Sequence, residues 1–144
     1  MSVGVGIEIA PAAVRAVVLE GPPALKVRAS AERSCDSANR DALTQALAQL
    51  RKDARIQQPV VLGLPTTSTI LATLQPLVPD PHRAHLAVQF ELQQLLPFEV
   101  RDAQWHHQWL TPPNGHGSRA LVAAMRRSRL QEHLSAVNAL TLLA

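Results

Sequence analysis

The sequence is poor in the residues that usually announce chemistry. It has one cysteine, no tyrosine, two tryptophans and two phenylalanines among 144 residues. A lone thiol cannot close an internal disulfide, and Ser34-Cys35-Asp36 sets it beside an anion that opposes thiolate formation. Neither a metal centre nor a nucleophilic cysteine is expected. No stretch approaches the ~18 uninterrupted apolar residues of a membrane-spanning helix. The start, Met1-Ser2-Val3-Gly4, has no basic flank and its first apolar run is broken by Glu8, so a secretory leader is not expected either. These absences lead to the expectation of a soluble, intracellular protein. Glycine-rich phosphate loops of the Walker or dinucleotide kind are missing: Gly4 and Gly6 fall inside a strand pattern and no lysine-serine pair follows them. Lysine occurs only at 26 and 52, so the formal charge of +3 comes mainly from arginine. Nucleic-acid binding needs clustered charge with stacking aromatics. Here Phe90, Phe98, Trp105 and Trp109 lie away from the one dense basic run, Arg126-Arg127-Ser128-Arg129, which reads as a solvated helix start. No nucleic-acid partner is expected.

What the chain does have is apolar patterning, with 47% hydrophobic residues. That suffices for one core, or for two small subdomains. Val3 to Ile9 alternates apolar with small residues, as a buried strand does when other backbone packs closely on one face. Val14 to Glu20 is rich in strand formers and is stopped by Gly21-Pro22-Pro23; Leu25, Val27 and Ala29 alternate with polar residues, so a third strand returns beside the second. From Asn39 or Asp41 the period becomes helical, with Leu43, Ala46, Leu47 and Leu50 on one face. Pro59 to Pro65 then encloses a short run that reads as a buried strand after a helical crossover. In the second half, 69–74 is strand-like and 82–96 is helical until Pro97 ends it, with Phe90, Leu95, Leu96 and Phe98 expected to pack the insert. A strand over 103–110 carries Trp105, His107 and Trp109 on one side; a turn at Pro112-Pro113-Asn114-Gly115 leads to a strand over 120–124 and a last helix from about Arg126.

Six histidines invite a metal hypothesis, but adjacent His106 and His107 point to opposite faces of a strand, and His82 and His85 lack a third ligand. Surface histidines, and no metal, are the expectation. Glu91, beside apolar residues in the second helix, is an exposed helix residue, a partner-binding acid or a general base. Trp105 and Trp109 are core or subdomain anchors, or the hot spot of a binding surface.

Three stretches resemble the PilM family of type IV pilus assembly proteins, actin-like relatives of the cell-division protein FtsA. They are Gly6-Ile7-Glu8-Ile9 with Val14-Arg15-Ala16-Val17; Phe90-Glu91-Leu92-Gln93-Gln94-Leu95-Leu96-Pro97-Phe98; and Leu121 to Arg127 with Leu130 and His133 beyond. The cytoplasmic domains of type II secretion L proteins are a second match. The resemblance implies an α+β class: an actin-like (ribonuclease H-like) β-β-β-α-β subdomain over 1–67, and a small inserted strand-helix-strand-strand subdomain with its following helix over 68–144. It covers only the amino-terminal part of such a fold.

In that family the first hairpin carries a phosphate loop of the form Asp-x-Gly-x-x-x-x-Lys, where the acid holds a metal-bound water, the glycine lets backbone approach phosphate and the lysine adds charge. The matching positions here are Glu8, Ala10 and Arg15, with Pro11 beside the turn. Ala10 adds a side chain where bare backbone is wanted and Pro11 removes a donor. Although ATP is a cofactor in the full-length family, no cofactor is expected for this chain, and no enzymatic activity. The implied role is a cytoplasmic scaffold at the inner face of the inner membrane, touching the membrane only indirectly. Its implied partner is the cytoplasmic tail of a PilN-like inner-membrane protein, gripped in a groove between the two subdomains, with Glu91, Trp105 and Trp109 as candidate contacts. Homo-oligomerisation is a further expectation, with an apolar terminal run through Leu140, Leu142 and Leu143 as the surface. The alternatives are a type II secretion scaffold and a fragment of a degenerate actin-like nucleotide-binding enzyme.

Overall fold

The computed structural model describes residues 2–22, 24–57, 59–76, 81–110 and 119–141, and the chain divides into two compact units. Unit 1 comprises 1–67 with 131–144; unit 2 comprises 68–130. The last helix was expected to follow the insert within 68–144. From Gln131 onward it groups instead with unit 1, because Ala136 and Val137 are buried in that unit's core.

Unit 1 is a four-stranded sheet of order β3-β2-β1-β4. Strands β1 (Ser2–Ile9), β2 (Ala13–Gly21) and β3 (Lys26–Ser34) pair antiparallel in sequence, as their short connections require. Helix α1 (Arg40–Ala54) then carries the chain to β4 (Val61–Gly63), which pairs parallel to β1. The period of two in β1 and β2 sends Val5, Ile7, Ile9, Val14, Ala16 and Val18 to one face. Leu43, Leu47 and Leu50 of α1 close over that face, with Leu47 and Leu50 fully buried.

Both ends of α1 are closed by residues near in sequence. Asn39 is the cap: its carboxamide oxygen accepts from the amides of Asp41 and Ala42 at 3.0 and 3.1 Å. At the other end Arg55 takes the left-handed conformation at φ 51°, which a glycine would adopt at lower cost. The Ile56 amide then reaches back to the Arg51 carbonyl at 3.0 Å, and the buried Ile56 side chain seals the turn.

The face of this sheet opposite α1 differs from expectation. A Cβ built on Gly4 would meet nothing within 4 Å, so close backbone packing is not what the glycines of β1 serve among the described residues. Val61 of β4 is likewise 77% exposed rather than buried. Both strands are covered on one face only.

Unit 2 has a three-stranded antiparallel sheet of order β5-β7-β6, formed by β5 (Thr69–Leu74), β6 (Ala103–Leu110) and β7 (Arg119–Arg126). Helix α2 (Pro81–Leu95) contributes Val88 and Leu92 to its core, with Leu96 just beyond, and a short 3-10 turn at Val100–Asp102 feeds β6. Helix α3 (Arg127–Thr141) follows β7 directly. The basic run at this junction is engaged rather than merely solvated. The Arg126 guanidinium lies 4.7 Å from the centre of the Phe98 ring, and Arg127 Nη2 donates to the Ala103 carbonyl at 3.1 Å.

Phe90 overturns a sequence expectation. Its ring was expected to pack the insert, yet it is 66% exposed, with Leu86 and Leu95 also exposed. The core stripe of α2 is Ala84, Val88, Leu92 and Leu96, spaced four apart, and Phe90 falls on the opposite side of the helix. Apolar residues on both faces of α2 made its period ambiguous. The terminal run through Leu140, Leu142 and Leu143 lies outside the side chains described.

Both tryptophans belong to unit 2, so their fluorescence reports its unfolding. In urea titrations Leu92→Ala is expected to cost about 2–5 kcal/mol. Phe90→Ala should stay within about 0.5 kcal/mol of the parent, as a solvated surface change does. The reverse order would show that α2 packs through its other face.

Candidate functional site

The β1–β2 turn is the place to look for phosphate chemistry, because backbone amides there would have to face the ligand. Two of its positions offer no donor to a ligand. The Ala10 amide donates to the Ala13 carbonyl at 2.9 Å, and Pro11 has no amide proton. The carbonyls of Pro11 and Ala12 accept from the Ser37 and Cys35 amides, both at 3.1 Å, fastening the turn to 35–37. A shallow depression beside it is lined by Pro11, Ala12, Ser34, Cys35 and Asp36. An anion there would meet the Asp36 carboxylate, which is occupied in accepting from the Ala38 amide at 2.9 Å.

Glu8 and Arg15 do not join Ala10 at this turn. Register sets Glu8 opposite Arg15 and Arg15 opposite Glu32, so all three stand in a row on the sheet face away from α1. Arg15 Nη1 donates to Glu8 Oε2 at 3.1 Å and Arg15 Nε to Glu32 Oε2 at 2.5 Å. Hydrogen bonds donated to Glu32 first, and then to Glu8, raise the Arg15 pKa. The Glu8 carboxylate thus faces a guanidinium that it shares with a second acid, Glu32. Glu32 was missed by sequence reasoning; only the pairing of β3 against β2 reveals it.

This row forms one wall of an open groove of about 690 Å³, whose floor includes Gly6, Val17 and Val61. The groove has an apolar floor and an acidic rim, and its lining residues include Ser30 but no cysteine or histidine.

The other concentration of functional side chains is in unit 2. On β6, Trp105, His107 and Trp109 share one face, and His85 of α2 stacks on Trp105 with ring centres 4.6 Å apart and planes 14° from parallel. His107 lies 5.8 Å from both the His85 and Trp105 rings and meets Trp109 edge-on at 5.5 Å. Burial first, then His85 and His106, holds the His107 pKa below its ordinary value, favouring the neutral ring. Trp105 packs against the unit 2 core, whereas Trp109 is 40% exposed. Glu91 is half-buried further along α2 and takes no part in these ring contacts. His133 corrects the reading of the histidines as surface groups, being 1% exposed. The described residues contain no group of three or more potential metal ligands.

Fold and site together define an actin-like first subdomain with a small α+β insert. The particular likeness is to PilM: the chain has a TM-score of 0.81 and 26% identity to a solved chain of a PilM-PilN type IV pilus biogenesis complex, covering 96% of this chain and 44% of that one. It also matches the cytoplasmic domain of EpsL, an inner-membrane component of the type II secretion system of Vibrio cholerae, with a TM-score of 0.70 and 16% identity over 96% of this chain and 53% of that one. The chain therefore spans about half the length of these solved chains. No family model matches the sequence. No curated protein matches it either. The α+β actin-like class expected from the sequence is the one observed. No helix among the described residues is long and apolar enough to cross a membrane.

Two measurements follow from this geometry. Magnesium-ATP at about 1 mM is expected to shift Tm by less than about 1 °C, since a ligand held only by the native state must raise its stability; a shift of several degrees would show that the turn still binds phosphate. Burial, and secondarily Asp36, holds the Cys35 thiol above its ordinary pKa. Its alkylation should be slow at neutral pH and rise steeply with alkali. Asp36→Asn keeps the acceptor for Ala38, removes the neighbouring anion and should speed alkylation modestly at any fixed pH. An unchanged rate would assign the whole effect to burial.

Proposed function

We propose that this chain is part of a non-enzymatic scaffold of type IV pilus biogenesis, located in the cytoplasm at the inner face of the inner membrane. It holds the cytoplasmic tail of a PilN-like membrane protein. The observation that carries the proposal is the likeness over 96% of the chain to the PilM of a PilM-PilN complex. The lack of a free donor at Ala10 and Pro11 of the β1–β2 turn and the pairing of Glu8 with Arg15 support a scaffold over an actin-like ATPase. A tail peptide suits such a partner, because extended chains find sheet edges and apolar grooves without any catalytic residue. A type II secretion scaffold is the second reading. The EpsL domain supports it through fold, while the higher identity to PilM favours the pilus.

Fluorescence anisotropy with a labelled peptide copying the amino-terminal tail of the PilN-like protein tests the proposal. Saturable binding at roughly micromolar peptide is expected, typical of a segment that orders on binding. A scrambled peptide should not bind. Vesicles of inner-membrane lipid should retain the chain only when they carry the tail. Absence of saturable binding would overturn the proposal.

A further inference from the structure

Sheet edges are hazards that folds usually blunt with charge, proline, a bulge or short length. Unit 1 follows this practice. Its edge strand β3 carries Lys26, Arg28, Glu32 and Arg33, and its other edge, β4, has only three residues. The β6 edge of unit 2 does not. It runs for eight residues, Ala-Gln-Trp-His-His-Gln-Trp-Leu, with no proline and no Asp, Glu, Lys or Arg. Its register with β7 is unbroken from Ala103 to Leu110, and no strand lies against its outer side among the described residues. The opposite edge, β5, is also uncharged but shorter, at six residues, and has no aromatic side chain.

What singles out β6 is its symmetry. An indole stands two residues to each side of His107, all three on one face. An antiparallel pairing about a two-fold axis at residue i sets i opposite itself and i−2 opposite i+2, on the same face. Centred on His107, it opposes Trp105 to Trp109 twice over and His107 to its own copy. On the other face it opposes His106 to Gln108 and Gln104 to Leu110. No formally charged side chains confront one another, and the 40% exposed Trp109 has apolar surface left to bury. Aromatic pairs across a strand boundary are among the more favourable contacts in sheets.

We propose that the chain pairs with a second copy of itself through the free edge of β6, in antiparallel register centred on His107, joining two three-stranded sheets into one of six. The pairing exchanges solvated backbone groups for ladder hydrogen bonds and covers the Trp109 indoles. The contact is small, so association belongs to the weak, concentration-dependent class. It needs no partner protein.

Sedimentation from about 10 μM to about 1 mM is expected to show a monomer–dimer equilibrium, the span in which small interfaces report. In a Cys35→Ser background, His107→Cys should give a disulfide-linked dimer under mild oxidation, because residues directly opposite across a strand pair approach to about 4.5–5.5 Å. Gln104→Cys, which would face Leu110 of the copy, should not. Should His107→Cys fail to fold, the exposed double variant His106→Lys with Gln108→Lys still decides, since it sets lysine opposite lysine twice. It should weaken association by about tenfold or more. A monomer throughout, a dimer that links through Gln104→Cys and not His107→Cys, or a dimer indifferent to the two lysines would each overturn the proposal.

Discussion

The structure of unit 1 depends on one constraint: β1 must pair on both sides while burying only one face. Antiparallel pairing with β2 comes cheaply from a short turn, but parallel pairing with β4 requires a crossover, and α1 supplies it. Because α1 crosses over the side carrying Val5, Ile7 and Ile9, that side becomes the core. Gly4, Gly6 and Glu8 are thereby assigned to the other side, with Arg15 and Val17 of β2 beside them. A one-residue slip would exchange the two sets entirely.

That assignment shapes the chemistry. In an actin-like phosphate loop the acid, the glycine and the base must converge on the turn. Here the same alternation that builds the core lines Glu8, Arg15 and Glu32 across the open face, where opposite charges satisfy one another. The turn itself holds Ala10 and Pro11, with one amide engaged and the other absent as a donor. Glu8 and Arg15 thus stand apart from Ala10, in a groove with an apolar floor and a clasped acidic rim. Surface ion pairs of this kind add little stability.

Unit 2 follows a different rule. Its core rests on small residues, Ala84, Ala103, Ala120 and Ala124, with Val88, Leu92 and Val122 between them. Helix and sheet can approach closely on such a surface, and larger groups are displaced to its margins. Trp105 is wedged against the core and stacked by His85, while Phe90 and Trp109 keep much of their area in solvent. A small domain with aromatic margins and an uncharged edge strand is suited to contacts with other chains.

The sequence by itself determined the elements and the fold class. Period-two runs, the breakers Gly21-Pro22 and Pro97, and the helical spacing of Leu43, Leu47 and Leu50 are local signals, and local physics suffices to read them. Resemblance at a few such stretches carried the actin-like assignment as well. Tertiary structure alone decided which faces were met. It buried His133 and exposed Phe90, although each sits on a helix with apolar residues on more than one side. Arg126 and Arg127 looked free until Phe98 and the Ala103 carbonyl came within reach. It brought Glu32, seventeen positions away, to Arg15, a partnership that no spacing along the chain encodes. Periodicity fixes where a side chain points relative to its own backbone; only the packing of distant elements determines what it finds there.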